Sequence, residues 1–176
     1  MSFDALDGRV GGHRSNVVSE FVEHAVVALN KAAGSPEIKK RSSLAGVIEF
    51  KLGDSRGGFS GVFVGSEQSR RVSCVVKFPD TIEDGVRPEL MLLCFLVNAS
   101  LDLGSLEFTH SGNELIAKVT QVLLPGHECN AAIIEECVTM AIHLMNEYAE
   151  SIRSVIKGDM KAANAFHTHQ FLAQSD

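Results

Sequence analysis

The stretch RPELMLLCFLVNASLDLGSLEFTHSGNELIAKVTQVLLPGHECNAAIIEECVTMAIHLMNEYAESIRSV, residues 87–155, decides the fold. Pro88 stands where a helix begins and its missing N–H is no loss. The helix it starts, Pro88 to about Asn98, is apolar nearly all round, through Leu90, Met91, Leu92, Leu93, Cys94, Phe95, Leu96 and Val97. Such a helix must be covered on more than one side. One side can meet a sheet, and the other needs a second helix of this chain or a partner chain. Ser105 to Thr109 then reads as a short strand, His110-Ser111-Gly112-Asn113 as a hairpin turn, and Glu114 to Leu124 as the returning strand. Leu124-Pro125-Gly126 breaks it. From Ala131 to Ile156, Ile134, Cys137, Ala141, Leu144, Tyr148, Ile152 and Val155 recur at three- and four-residue steps, the stripe of a long amphipathic helix stopped by Gly158.

Upstream, Phe21, Val22, Ala25, Val26 and Leu29 share one helical face, with Ser15 or Asn16 as N-cap and Gly34-Ser35-Pro36 as the stop. His24 falls at the edge of that face, as a boundary histidine. Three strands are expected next: Val47 to Leu52, Phe59 to Val64 and Val72 to Phe78, rich in Val and Phe with period-two alternation. The glycine-rich connection 53–58 and the connection 65–69 are hairpin length, which makes this a meander. Gly57-Gly58 is not a phosphate loop, because a strand and not a helix follows it.

The expected fold class is therefore α+β: an antiparallel sheet of about five strands with helices packed on it, in the order α-β-β-β-α-β-β-α. Residues 1–15 are expected as a mobile arm, 16–158 as a single domain, and 159–176 as a tail, partly helical or disordered, with a short helix through Met160, Ala163 and Phe166.

At 176 residues and 19.0 kDa the chain is long enough to bury a core without covalent staples. A net charge of −6 and a pI near 5.6 exclude a nucleic-acid binder, which needs concentrated Lys and Arg. The basic cluster Lys39-Lys40-Arg41 reads as a solvated loop. The opening MSFDALDGRVGGHR has neither the basic start nor the apolar core of a secretory leader. The apolar run Leu90 to Val97 is far short of the roughly 20 residues that span a membrane. A cytoplasmic protein that meets no membrane is the expectation, with Cys74, Cys94, Cys129 and Cys137 as free thiols.

No assembled active site is legible. His127-Glu128-Cys129 and His167-Thr168-His169 are dense in metal-ligand types, yet neither has the paired spacing of a structural zinc site. Cys129 is the best placed nucleophile or redox-sensitive thiol, at the start of the last helix, but Glu128 opposes its activation and no partner pair accompanies it. Glu135-Glu136 and Glu147-Glu150 belong to the wet side of that helix. No catalytic residue, cofactor or metal is expected, and the chain is not expected to be an enzyme.

Asn98, then Leu103-Gly104-Ser105-Leu106-Glu107-Phe108, Gly112 and Leu124-Pro125-Gly126, followed by Met145-Asn146-Glu147-Tyr148, Ile152 and Val155-Ile156-Lys157-Gly158, resembles the YbjN-like family. That family's fold is similar to the type III secretion chaperones. The match covers about residues 87–165; the first half agrees only in layout. The resemblance implies a homodimer that chaperones or regulates a protein client. Phe59, Phe63, Met91 and Phe95, large and adaptable, are the candidate client contacts. The alternative is a small-molecule sensor with an apolar pocket between sheet and helices.

Overall fold

The computed structural model describes residues 22–32, 36–40, 46–53, 58–66, 69–109, 111, 113–122 and 131–173. Residues 22–32 form helix α1. Strands β1 (Glu37–Lys40), β2 (Val47–Leu52), β3 (Phe59–Ser66) and β4 (Arg71–Lys77) follow, then helix α2 (Arg87–Asn98). Strands β5 (Ser105–Phe108) and β6 (Leu115–Val122) come next, then the helices α3 (Ala131–Ile156) and α4 (Ala162–Ala173). The six strands make one antiparallel sheet in the order β1-β2-β3-β4-β6-β5. The first four form a meander. The passage through α2 then carries the chain past the place of β6, which inserts between β4 and β5.

Register explains which side is buried. Ile48 lies opposite Phe63, Phe63 opposite Cys74, and Cys74 opposite Val119; one row over, Gly61, Val76, Ala117 and Leu106 are aligned in the same way. Directly opposed residues point to one face, so these rows form a continuous apolar layer. The side chains in it are buried, as are Phe50, Leu52, Phe59, Val72 and Leu115. Gly61 leaves room for the Phe50 ring: a Cβ there would lie 2.4 Å from Phe50 Cζ and 2.6 Å from the Val75 carbonyl oxygen.

Helix α3 packs on β4 and β6 along this layer, and α2 packs on β5, α3 and α4. Eleven residues of α3 are buried, from Ile134 to Val155, a stripe wide enough to serve sheet and neighbouring helices together. Ala25, Ala28 and Leu29 bury the inner face of α1, and Lys31 pairs with Glu135 on α3. His24 is half-buried, and the residues expected as N-cap of α1 and as the arm 1–15 lie outside the described residues.

Two differences from the sequence reading stand out. The sheet has six strands, because Lys39 and Lys40 belong to β1 and not to a loop; main-chain pairing with β2, Lys40 opposite Ile48, makes the strand, and Arg41 lies outside the described residues. The domain does not end at Gly158. Ala162, Ala165 and Phe166, three and four residues apart, are buried on α4, which docks against α2 and α3. Hydrogen bonds to both helices help fix it: Ala162 N–H donates to Glu89 Oε2 (3.1 Å) and Ser151 Oγ donates to the Ala165 carbonyl (3.3 Å). The expected hairpin joining β5 and β6 is present, paired down to Thr109 N–H on the Glu114 carbonyl; His110 and Gly112 of its turn lie outside the described residues.

The outer edge of β5 is capped at Leu106 by a side chain. Asn98, the last residue of α2, donates through Nδ2 to the Leu106 carbonyl (3.0 Å) and accepts the Leu106 N–H at Oδ1 (2.8 Å). An amide has one donor side and one acceptor side, so it satisfies both main-chain groups as a neighbouring strand would. Gly104, at φ +86°, allows the turn into β5; a Cβ there would meet Val119 Cγ2 at 3.0 Å.

Candidate protein-binding surfaces

Helix α2 has two apolar faces and one covering. Leu90, Leu93, Cys94 and Val97 are buried against β5, α3 and α4. A helix advances about 100° per residue, so Pro88, Met91, Leu92, Phe95 and Ala99 run along the opposite side. All five are exposed: Met91 by 56%, Leu92 by 45% and Phe95 by 68%. Isolated exposed hydrophobics are ordinary on a protein surface; three large ones at i, i+1 and i+4 of one helix form a contiguous strip. No helix among the described residues lies over it.

The second surface is the other face of the sheet. The rows alternating with the core are Glu37, Lys51, Ser60, Lys77, Ile116 and Glu107, then Glu49, Val62, Val75, Lys118 and Ser105, then Val47, Val64, Ser73 and Thr120. Val62, Val75 and Ile116 are half-buried and sit within a shallow concavity of about 400 Å³. Its rim carries the Lys77–Glu114 ion pair. Ser73 and Thr120 hydrogen-bond across the strands (2.9 Å), and Lys118 pairs with Glu107 (3.4 Å). Val122, 60% exposed, lies at the end of the same face.

A third feature is a cleft of about 670 Å³ where the start of α2 meets the α3–α4 turn, lined by Val86, Glu89, Lys161, Asn164, His167 and Thr168 among others. The carboxylate of Glu89 is engaged there with the Ala162 N–H and with Lys161 (3.2 Å), and these bonds hold it below the usual carboxylate range.

Of the four candidate client contacts, the fold separates two from two. Met91 and Phe95 are on the exposed strip. Phe59 and Phe63 are not surface residues: they are 4% and 0% exposed and belong to the core. Alternation alone shows that Phe59, Gly61 and Phe63 share a face but not which face the helices cover, and both rings belong to the buried core on the helix side. Leu92 completes the strip and was not singled out in the sequence; its place beside Met91 and Phe95 follows from helical spacing.

The titratable groups make a different picture from an active site. Burial pushes the Cys74 thiol far up, with Cys137 adding to the shift, and pushes Cys94 up to about 12. Such thiols stay protonated at neutral pH and are poor nucleophiles. Cys137 Sγ donates to the Val119 carbonyl (3.4 Å) inside the core. Cys129, His127 and Glu128 lie outside the described residues. His167 is exposed, whereas His169 hydrogen-bonds Glu147 (2.9 Å) and stacks on Tyr148 with ring centres 4.3 Å apart. Glu147 also faces His143 at 3.4 Å. Burial, and then Glu147, raise the Tyr148 phenol, which hydrogen-bonds Ser100 and ties α3 to the loop after α2. Among the described residues no three His, Cys, Asp or Glu are placed to hold a metal ion, and no helix is long and apolar enough to cross a membrane.

No protein-family model matches this chain, and no curated protein does so either.

Proposed function

We propose that this protein is a non-enzymatic protein-binding module, chaperone-like or regulatory, that takes a protein client and works as a homodimer. The observation that carries the reading is the exposed strip Met91, Leu92 and Phe95 on a helix whose other face already lies in the core. Fully burying such a side chain is worth about 1.5–3 kcal/mol, so covering what the strip exposes favours a partner, which must add contacts of its own to offset the losses of association. The uncovered valine face of the sheet offers a second surface, so client and second copy need not compete for one site. Residues 47–156 run in the order β-β-β-α-β-β-α, which keeps the YbjN-like, type III secretion chaperone-like resemblance within the proposal; β1 and α4 are additions to that layout. Cytoplasmic residence belongs to the same reading.

The sensor alternative has less behind it. Both cavities described above open on the surface, and the space between sheet and helices is filled by core side chains.

The test is affinity capture of the tagged chain and of its Phe95→Glu variant from the host lysate, with light scattering and mass spectrometry on the eluates. The expected result is a dimer carrying one reproducible, near-stoichiometric protein that the variant fails to retain. A wild-type chain that elutes without any partner overturns the stable-client form of the proposal.

A further inference from the structure

The strip on α2 is bracketed by negative charge. Asp84 lies in the turn that leads into α2, and its side chain is 92% exposed. Asp80 and Glu83 are exposed just ahead of it, and Asp102 is exposed just past the helix end. Among the described residues Arg87 is the base paired with them. It sits 3.8 Å from Asp84 and lies over the Phe108 ring, 5.5 Å from its centre, directed towards β5. Among the described residues Asp80, Glu83 and Asp102 have no ion-pair partner, while Lys161, the nearest base on α4, is engaged by Glu89. An apolar strip about 17 Å long, from Pro88 to Ala99, therefore has exposed carboxylates beyond both ends, and of these four Asp84 alone has a base beside it among the described residues.

Resting on the protein-binding reading above, we propose that the α2 strip receives an amphipathic helix of the client whose apolar face is flanked at both ends by Lys or Arg. A second copy fits this site badly. Antiparallel pairing of α2 with α2 would bring Asp84 of one copy towards Asp102 of the other, placing like charges together. A basic-ended helix meets the same strip with opposite charge at each end. The apolar contact supplies affinity and the charges choose the partner.

The test uses the intact protein and three labelled synthetic peptides of about 18 residues, long enough to hold helical structure on binding. One has a Leu face with Lys ends, the second the same face with Glu ends, and the third the first composition scrambled. Fluorescence anisotropy is expected to show the Lys-ended peptide binding at least tenfold more tightly than either of the others. That affinity should fall with added salt, because ends at the rim are screened. Phe95→Glu is expected to abolish binding, and an Asp84→Asn/Asp102→Asn double variant to bind with a smaller salt dependence. Phe95, Asp84 and Asp102 are exposed, so unchanged circular dichroism and melting will show that these variants still fold.

Equal binding of Lys-ended and Glu-ended peptides, both lost in Phe95→Glu, overturns the charge rule while leaving the protein-binding reading standing. Binding of the scrambled peptide as tight as the amphipathic one overturns the helix occupant. Wild-type dimers that Phe95→Glu converts to monomers, with no peptide bound, assign the strip to a second copy and overturn the inference.

Discussion

Asn98 holds two main-chain groups of Leu106 that would otherwise face outward from the edge of β5. Truncating it to Ala leaves both groups unpaired in a half-buried setting, which costs about 2 kcal/mol by urea denaturation. Asn98→Asp is expected to lose about as much, since a carboxylate still accepts the Leu106 N–H but repels the Leu106 carbonyl. A loss below about 0.5 kcal/mol in both variants would show that water replaces the amide without penalty. At this scale the sequence was legible in type and not in partner. Asn98 was visible at the end of an apolar helix, but its contact eight residues on depends on how α2 turns into β5. The phenylalanines Phe59 and Phe63 fail as surface candidates for the same kind of reason. Their shared face is written in the alternation, while the choice of the covered face is made by α1 and α3.

The helices divide by how much of their stripe is local. Helix α3 was readable over its whole length, Ala131–Ile156, because its buried positions recur without interruption. Strand β1 was not, since Glu37–Lys40 carries no alternation of its own and exists through pairing with β2. Helix α4 is intermediate: of its buried residues Phe166 was seen, but Ala162 and Ala165 were not, nor was its anchor, Glu89, which lies 73 positions away on α2. That anchor makes a pH prediction. The Ala162 N–H and Lys161 favour the ionised carboxylate, so the folded pKa lies below the ordinary value of 4.5. The contribution of Glu89 to docking α4 is then complete above that value and is lost as pH falls through the lower folded one. Hydrogen exchange should show α4 amides losing protection in that acid window, measured against intrinsic rates, before the core of α3 does. Glu89→Gln should weaken protection at neutral pH and remove the dependence. An unchanged acid response in the variant would assign it to another group.

Taken whole, the molecule is a two-layer α+β domain whose helices lie on one side of the sheet. The tail after Gly158 is part of it. Deleting residues 159–176 uncovers the α2–α3 groove and removes the buried Phe166, and is expected to lower stability by about 3 kcal/mol and increase binding of an apolar dye. A truncated chain that melts with the full one would return α4 to the status of an appendage. The overall class was legible because each long element carries its own period; the uncovered valine face was not, because Val62 and Val75 alternate as regularly as the core residues beside them.

The closure of β5 has a further consequence for growth. A sheet whose two ends both accept strands is a bifunctional unit and can add copies without limit. Here the chain's own amide occupies one end at Leu106, so among the described residues the β1 end is the freer of the two. A unit with one hindered end behaves as a chain terminator: two copies joined at β1 leave only hindered edges outward, which favours a pair over a fibre.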